Sequence, residues 1–283
     1  MPDESKITGT TEMNTSGVSR RSFLSRVCKA GLVLPMFPLT LYQEAQMIST
    51  QKRKTIGIIG GIGPESTIDY YRLIIKKFKQ RDPNGNPPSI ILNSINLKQT
   101  IQYMNDKNYD GLETYLIGEI RRVEHADADI GIIAANTPHI IFDRVKSGVD
   151  LPLISIVEAT CKEIRKVGMS RVGLLGTSFT MQGDFYQKAG KQMGIDIMIP
   201  DEQGQKFVHE KYMNELLAGI IHDETKSQLK EIIATLKNTQ NIEGVVLGGT
   251  ELSLILKQED LPGFKVFDTT EIHVASVIDH VFS

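Results

Sequence analysis

Two apolar segments of the chain each occur twice, and this internal repeat restricts the fold more than any other feature of the sequence. Residues 56–60 resemble residues 172–176, and residues 131–137 resemble residues 244–250. The two segments are separated by a similar length of chain in each half. A repeat of this length is typical of two related lobes rather than of a solenoid.

From Lys54 onward, short β-branched runs alternate with longer amphipathic segments, which is the pattern of parallel strands joined by helices. Strands are predicted at 55–59, 89–92, 130–134, 153–156, 171–175 and 244–247, and helices at 65–78, 111–125, 158–167, 181–193, 210–220, 225–236 and 272–281. The predicted fold class is α/β, with two pseudo-symmetric lobes, each a parallel sheet flanked by helices. We place lobe one at 54–150 plus 266–283, and lobe two at 151–265.

Polar residues follow two of the repeated strands. Residues 135–137 and 249–251 both come directly after buried apolar runs. Because ligands of open α/β sheets bind beyond the carboxyl ends of strands, two facing lobes would place these segments across one cleft. Hydroxyl, amide and backbone donors suited to an anionic group come from Asn136, Thr137, Thr177 and Thr250. The alternative is that these residues only cap helices.

Residues 1–53 differ from the rest of the chain. Arg20 and Arg21 precede an apolar stretch at 30–42, in an arrangement that resembles a twin-arginine export signal. The stretch is shorter than the roughly 20 residues that a membrane-spanning helix needs, so no permanent membrane anchor is expected. We predict an exported, periplasmic protein. Two alternatives remain open: a tail with chance arginines, and a cytoplasmic protein that starts at Met47.

Charge and motifs argue against nucleic acid, nucleotides and metals as ligands. The formal net charge is −2, from 32 basic and 34 acidic residues, without a long run of lysine or arginine. The turn at 61–63 has glycines typical of a dinucleotide site, but Ser66 replaces the third small position and the next strand ends without an acid. The acidic and histidine side chains at 125–129 are interpreted as a solvated loop. No cofactor, metal or nucleic-acid partner is predicted.

Four ordered motifs resemble the cofactor-independent aspartate/glutamate racemase family, which works without pyridoxal phosphate. Residues 54–67 are similar to the family's opening segment, 136–139 to its C-N-T-A-H segment, 175–181 to L-G-T-x-x-T-M, and 248–252 to G-C-T-E-L. Together the motifs span about residues 54–283. The resemblance implies two lobes with the substrate between them, and a homodimer.

The two positions at which the family carries catalytic cysteines are Ala135 and Gly249 here. In the family one thiolate removes the α-proton, and the other thiol returns a proton from the opposite face. Neither alanine nor glycine can carry a proton. The remaining cysteine of this region, Cys161, lies in a predicted helix with the spacing of a core residue.

Two cationic positions of the family are also changed, since Gln99 and Leu217 stand where the resemblance places an arginine and a lysine. Ligand contacts are predicted from Gly61, Ile62, Asn136, Thr137, Thr177, Thr250 and Glu251. The remaining titratable candidates for acid–base catalysis at the matched motifs are Glu65, His139 and Glu251.

Three functional hypotheses follow. The first is a catalytically impaired family member that binds a small carboxylate or amino acid. The second is an active racemase, isomerase or lyase that uses non-cysteine acid and base groups. The third is a structural or partner-binding protein whose cleft is filled by its own side chains.

Overall fold

The computed structural model describes residues 53–283. The predicted export signal and the alternative start at Met47 therefore lie outside the described residues. Within the described residues the fold is α/β, with two separate four-stranded parallel sheets. The predicted fold class is confirmed.

The first sheet has the strand order β2-β1-β3-β4. Its elements are β1 (Ile56–Gly60), α1 (Pro64–Arg81), β2 (Ile90–Ser94), α2 (Leu97–Asn105), α3 (Tyr109–Glu124), β3 (Ile130–Ile133), a 3₁₀ turn (Thr137–Ile141), α4 (Phe142–Ser147) and β4 (Leu153–Ile154). Alternate residues of β1 point to opposite faces. Ile56 and Ile58 pack in the same cluster as α1, whereas Ile59 packs in the same cluster as α2 and α3. Both faces are thus covered, which explains the continuous apolar character of this strand.

The second sheet repeats this arrangement with the order β6-β5-β7-β8. Its elements are α5 (Ile156–Lys166), β5 (Arg171–Leu175), α6 (Ser178–Gln182), α7 (Phe185–Gln192), β6 (Asp196–Met198), α8 (Glu202–Asn214), a 3₁₀ turn (Leu216–Ala218), α9 (Asp223–Gln240), β7 (Gly244–Leu247), α10 (Leu252–Ile255), a 3₁₀ turn (Gln258–Asp260), β8 (Lys265–Asp268) and α11 (Thr269–Phe282). The repeated segments noted in the sequence are β1 and β5, followed by β3 and β7. They form the two central strands of each sheet.

The sheets extend beyond the lobe boundaries that the sequence predicted. Leu153 of β4 pairs with Gly131 of the first sheet, although 151–265 was assigned to the second lobe. Val266 of β8 pairs with Val245 of the second sheet, although 266–283 was assigned to the first lobe. The edge strands β4 and β8 each pair with a central strand of their own sheet, β3 and β7 respectively. The chain therefore passes from the first sheet to the second between residues 155 and 170, and it leaves the second sheet after Asp268. Helix α11 then packs against α1 of the first lobe and α5 of the second.

Across residues 53–283, no helix combines the length and apolar character needed to cross a membrane.

Candidate functional site

A small cavity lies where the carboxyl ends of the central strands of both sheets meet, and its volume is about 50 Å³. We call it the cleft cavity. Its lining comes from the loops after β1, β3, β5 and β7 and from helices α2, α6 and α8: Ile62, Leu97, Thr100, Ile101, Met104, Ala135, Asn136, Thr137, Thr177, Phe179, Tyr212, Met213, Leu217 and Gly249. The cleft cavity therefore lies at the strand ends, where the sequence analysis expects a ligand to bind.

A triangle of threonine hydroxyls joins the two lobes beside the cleft cavity. The Oγ1 atom of Thr137 lies 3.0 Å from Oγ1 of Thr177 and 3.1 Å from Oγ1 of Thr180. The Thr177 and Thr180 hydroxyls are 3.2 Å apart. Three hydroxyls carry three protons, and two hydrogen bonds are enough to connect them. One proton can therefore be donated to a ligand.

Asn136 uses its side chain to hold the lobes together. Its Oδ1 atom accepts a hydrogen bond of 2.6 Å from the Tyr186 hydroxyl, and its Nδ2 atom donates at 3.1 Å to Oγ1 of Thr269. The side chain is 3% exposed, so losing either partner would leave a buried polar atom unpaired. Asn136 lines the site, but its amide serves first as a link between α7 and α11.

Main-chain donors are available at the same place. The hydrogen bonds formed among residues 53–283 do not use the N–H groups of Asn136, Gly249 or Thr250. These three groups follow β3 and β7, one strand from each sheet. Free N–H groups beside strand ends can bind an anionic oxygen, so the two lobes together offer donors to one ligand.

The space beside Gly249, where the sequence resemblance places the family's second cysteine, is occupied by a neighbouring ring. A Cβ atom added to Gly249 would lie 3.0 Å from Cζ of Tyr212 and 3.2 Å from Cδ2, and closer still to Cε2. Ordinary contacts between carbon atoms are about 3.5–4.0 Å. Tyr212 therefore fills the space into which a cysteine side chain would project. Ala135, where the resemblance places the first cysteine, also lines the cavity and is buried.

Tyr212 is held in this position by a buried carboxyl group. Its hydroxyl donates to Oε2 of Glu251, which also accepts a hydrogen bond of 2.8 Å from Thr250. Burial raises the pKa of Glu251, and burial together with this neighbouring carboxyl raises the pKa of Tyr212 well above its usual value. Both shifts favour the neutral forms of these groups. The phenol of Tyr212 is therefore neutral at neutral pH and is not suited to take a proton from a ligand in the cleft.

Glu251 is fully buried beneath the loop that follows β1. Its Oε1 atom has no hydrogen-bond partner among the described residues and lies against Gly63, where an added Cβ atom would collide with it. Gly63 has a φ of +128°, which a residue with a side chain rarely adopts. Glu251 packs against this glycine turn and does not line the cleft cavity.

His139 is engaged with the backbone through both ring nitrogens. Its Nδ1 atom donates at 3.0 Å to the Ala135 carbonyl, and its Nε2 atom accepts from the Ile156 N–H at 3.4 Å. Burial and the neighbouring His273 lower the pKa of His139 to about 3. The imidazole is therefore neutral at neutral pH and is not among the residues that line the cleft cavity.

The remaining sequence candidates also lie away from the cavity lining. Glu65 is exposed in the first turn of α1, and Gln99 is exposed and donates at 3.2 Å to the Tyr103 hydroxyl. Gly61, with a φ of +82°, forms the turn after β1 and donates to Oγ1 of Thr67. Cys161 is buried in α5, and burial raises its pKa to about 12, so it is an unreactive core thiol. Among the described residues, no cluster of side chains is suited to hold a metal ion.

Seven lining residues were missed by the sequence analysis. Four belong to α2 and are spaced as one apolar stripe of an amphipathic helix, a signal that could have been found: Leu97, Thr100, Ile101 and Met104. The other three are Phe179, Tyr212 and Met213. No local pattern indicates that these three reach the cavity, because they pack on it from helices of the other lobe.

Comparisons with known proteins agree with this architecture. The family profile of Asp/Glu/hydantoin racemases matches residues 59–277. A broad specificity amino-acid racemase of Bacillus subtilis is 24% identical over 216 residues, covering 73% of this chain and 90% of that protein.

Solved structures of other proteins are similar to this chain in fold. An aspartate racemase homologue from Pyrococcus horikoshii matches with a TM-score of 0.71 and 36% identity, covering 81% of this chain and 100% of that one. The aspartate racemase of Picrophilus torridus shares the fold, with a TM-score of 0.64 and 22% identity over 81% of this chain and 94% of that one. Because the profile covers most of the chain and the two-lobed fold agrees, the chain belongs to the Asp/Glu/hydantoin racemase family.

Proposed function

We propose that the protein is a catalytically impaired member of this family that binds a small carboxylate or amino acid in the cleft cavity. One observation carries the proposal: within the part of the chain that the structure describes, no side chain that lines the cavity can exchange a proton at neutral pH. Ala135 and Gly249 stand at the cysteine positions, and the one titratable lining group, the phenol of Tyr212, has a raised pKa. A two-base racemisation needs a proton acceptor and a proton donor on opposite faces of the α-carbon.

The ligand's carboxylate is held by neutral donors. The N–H groups of Asn136 and Gly249 flank the cavity from both lobes, together with the one hydroxyl proton that the threonine triangle does not use internally. Hydrogen bonds to a charged acceptor are stronger than those between neutral groups, at about 1.5–3 kcal/mol each. Several such donors are enough to bind a small anion without a lysine or arginine.

The other hypotheses lack a supporting contact. An enzyme that used Glu65, His139 or Glu251 would need one of these groups in the cavity, and none lines it. A purely structural protein would have its cleft filled by its own side chains, whereas a volume of about 50 Å³ stays open. Similarity to a broad specificity amino-acid racemase also supports an amino acid or a related carboxylate as the ligand.

Binding can be measured with the purified full-length protein. Saturation-transfer NMR and isothermal titration would use acetate, propionate, butyrate, succinate, alanine, aspartate and glutamate as probes. We expect at least one of them to bind, and Thr137→Val to weaken it by about tenfold, the loss of one hydrogen bond to a charged group. The matched control is Thr114→Val, on the exposed face of α3, which should bind as the wild type does. Absence of binding across the panel would refute the proposal.

We also propose that the protein is exported and forms a homodimer. Export is supported by the paired Arg20 and Arg21 before an apolar stretch. Dimerisation is supported by the exposed apolar side chains of Ile68, Tyr71 and Leu92, which lie along α1 and the adjacent edge strand β2. Tyr71→Glu should shift the mass measured by light scattering from two chains to one. An unchanged mass would place the interface elsewhere.

A further inference from the structure

Among residues 53–283, no charged side chain lines the cleft cavity. Of its fourteen lining residues, none is aspartate, glutamate, lysine, arginine or histidine. Apolar side chains dominate, with contributions from α2, α6, α8 and the turn after it: Ile62, Leu97, Ile101, Met104, Phe179, Met213 and Leu217. The polar donors come from the loops after β3, β5 and β7, so one part of the cavity is polar and the remainder is apolar.

The division of the cavity into a polar and an apolar part determines which charged groups a ligand can have. The donors described above satisfy one carboxylate. A second carboxylate would lie against apolar side chains such as Leu217 and Met213, and an ammonium group would find no lining carboxylate. Burying an unpaired charge is strongly unfavourable, whereas burying each additional CH₂ group is favourable by about 0.8 kcal/mol.

The cavity is also small. Its volume of about 50 Å³ is well below the roughly 300–1,000 Å³ of typical ligand pockets. The ring of Tyr212 contributes to this limit, because it fills the space beside Gly249. A short ligand therefore fits this space better than aspartate or glutamate does.

We propose that the cleft cavity selects a short aliphatic monocarboxylate and rejects ligands with a second charged group, and that Leu217 is a residue that determines this specificity. This inference rests on the proposed function, since it names the ligand class of the same site. Leu217 is half-buried in the 3₁₀ turn after α8, so a longer side chain at this position can reach both the cavity and solvent.

Three probes separate charge from size: butyrate, succinate and 4-methylpentanoate. 4-Methylpentanoate has the shape of succinate, with two methyl groups in place of the oxygens of one carboxylate. We expect full-length protein to bind butyrate about tenfold or more tighter than succinate, and 4-methylpentanoate tighter than succinate. Equal binding of succinate and 4-methylpentanoate would show that size alone sets the preference, and would overturn the exclusion of charge. Tighter binding of succinate than of butyrate would overturn the whole inference.

Leu217→Lys tests the assigned residue. The added ammonium group should tighten succinate binding by about tenfold relative to butyrate, because it supplies a partner for the second carboxylate. Ala218→Lys is the matched control, since it adds the same charge one residue away at an exposed position. Equal effects of the two variants would remove Leu217 as a specificity determinant.

The two proposals fail in different ways. If none of the three probes binds to the wild type, and none of the wider panel does, the proposed binding function fails. If the probes bind, but succinate binds as tightly as butyrate and 4-methylpentanoate do, only the proposed ligand class is wrong.

Discussion

Replacing Gly249 with alanine should destabilise the protein, because the new methyl group has no room. Its Cβ atom would lie 3.0 Å from Cζ of Tyr212 and nearer to Cε2. The ring cannot move aside easily, since Tyr212 is 6% exposed and its hydroxyl donates to the buried Glu251. Overpacking costs about 1–3 kcal/mol, and an unsatisfied buried group costs a similar amount. We expect the free energy of unfolding to fall by roughly 2–4 kcal/mol, which lowers Tm by roughly 5–15 °C.

The assay is urea unfolding followed by far-ultraviolet circular dichroism. The matched control is Gly118→Ala in α3, where an added Cβ atom would have no neighbour within 4 Å. That substitution should stabilise the protein by about 0.5–1 kcal/mol, because alanine is the better helix former.

A double-mutant cycle tests whether the clash with Tyr212 causes the loss of stability in Gly249→Ala. In a Tyr212→Ala background the ring is absent, so Gly249→Ala should cost less than about 0.5 kcal/mol and the coupling energy should be close to the single-variant loss. If Gly249→Ala unfolds like Gly118→Ala, the added methyl group does not clash with Tyr212. The same conclusion follows if Gly249→Ala costs the same free energy of unfolding with and without the Tyr212 ring.

Three further predictions concern buried groups. The folded pKa of His139 is lowered to about 3, so its stabilising contribution is present above the unfolded pKa near 6.5 and is lost as pH falls below it. Between pH 7 and pH 5, the free energy of unfolding of the wild type should therefore fall by about 2 kcal/mol more than that of His139→Phe. Urea midpoints measure this difference, and equal losses would contradict the lowered pKa of His139. Tyr212→Phe should cost about 1–3 kcal/mol because it removes the hydrogen bond to a buried carboxyl, and a Tyr212→Phe variant as stable as the wild type would refute the pairing. The control Tyr109→Phe should cost almost nothing, since the Tyr109 hydroxyl forms no hydrogen bond among residues 53–283. With Cys28 replaced by serine, Cys161 should react with a thiol reagent only in denaturant, since it is buried with a pKa of about 12; rapid modification of the native protein would disprove its burial.

The central strands could be predicted from the sequence because a strand that is covered on both faces is a continuous apolar run, which is easily recognised in a sequence. Residues 171–175 and 244–247 were placed with the bounds that the structure has. Two edge strands, β6 and β8, were missed, since three or four residues with charged ends give too short a pattern. Edge strands depend on pairing with a distant neighbour, which the local sequence does not reveal.

Helix boundaries were less well predicted where the backbone turns sharply. The helix predicted at 181–193 is two helices, α6 and α7, which are separated at Asp184, a residue with a φ of +54°. The helix predicted at 210–220 begins at Glu202, because the Asp201 side chain caps it by accepting from the Gly204 N–H at 2.8 Å. Asp201 is a strong N-cap residue, so this start was readable from the sequence.

Of the ligand contacts predicted from the sequence, Ile62, Asn136, Thr137 and Thr177 line the cavity, because motif residues follow the central strands directly. Three further predicted contacts, Gly61, Thr250 and Glu251, do not line it. The occupation of the space beside Gly249 by Tyr212 is a contact between residues far apart in the sequence. A single sequence shows that a cysteine is absent but not which side chain has taken its place.

Hydrogen exchange would show whether the cleft can move an α-proton, which the proposed loss of catalysis excludes. Full-length protein would be incubated in heavy water with each amino acid in both enantiomeric forms, and loss of the α-hydrogen signal would be followed by proton NMR. We predict no exchange above the buffer rate for any amino acid. Protein-dependent exchange that is lost in Glu251→Gln or His139→Phe would contradict the account and show that another base has replaced the two cysteines.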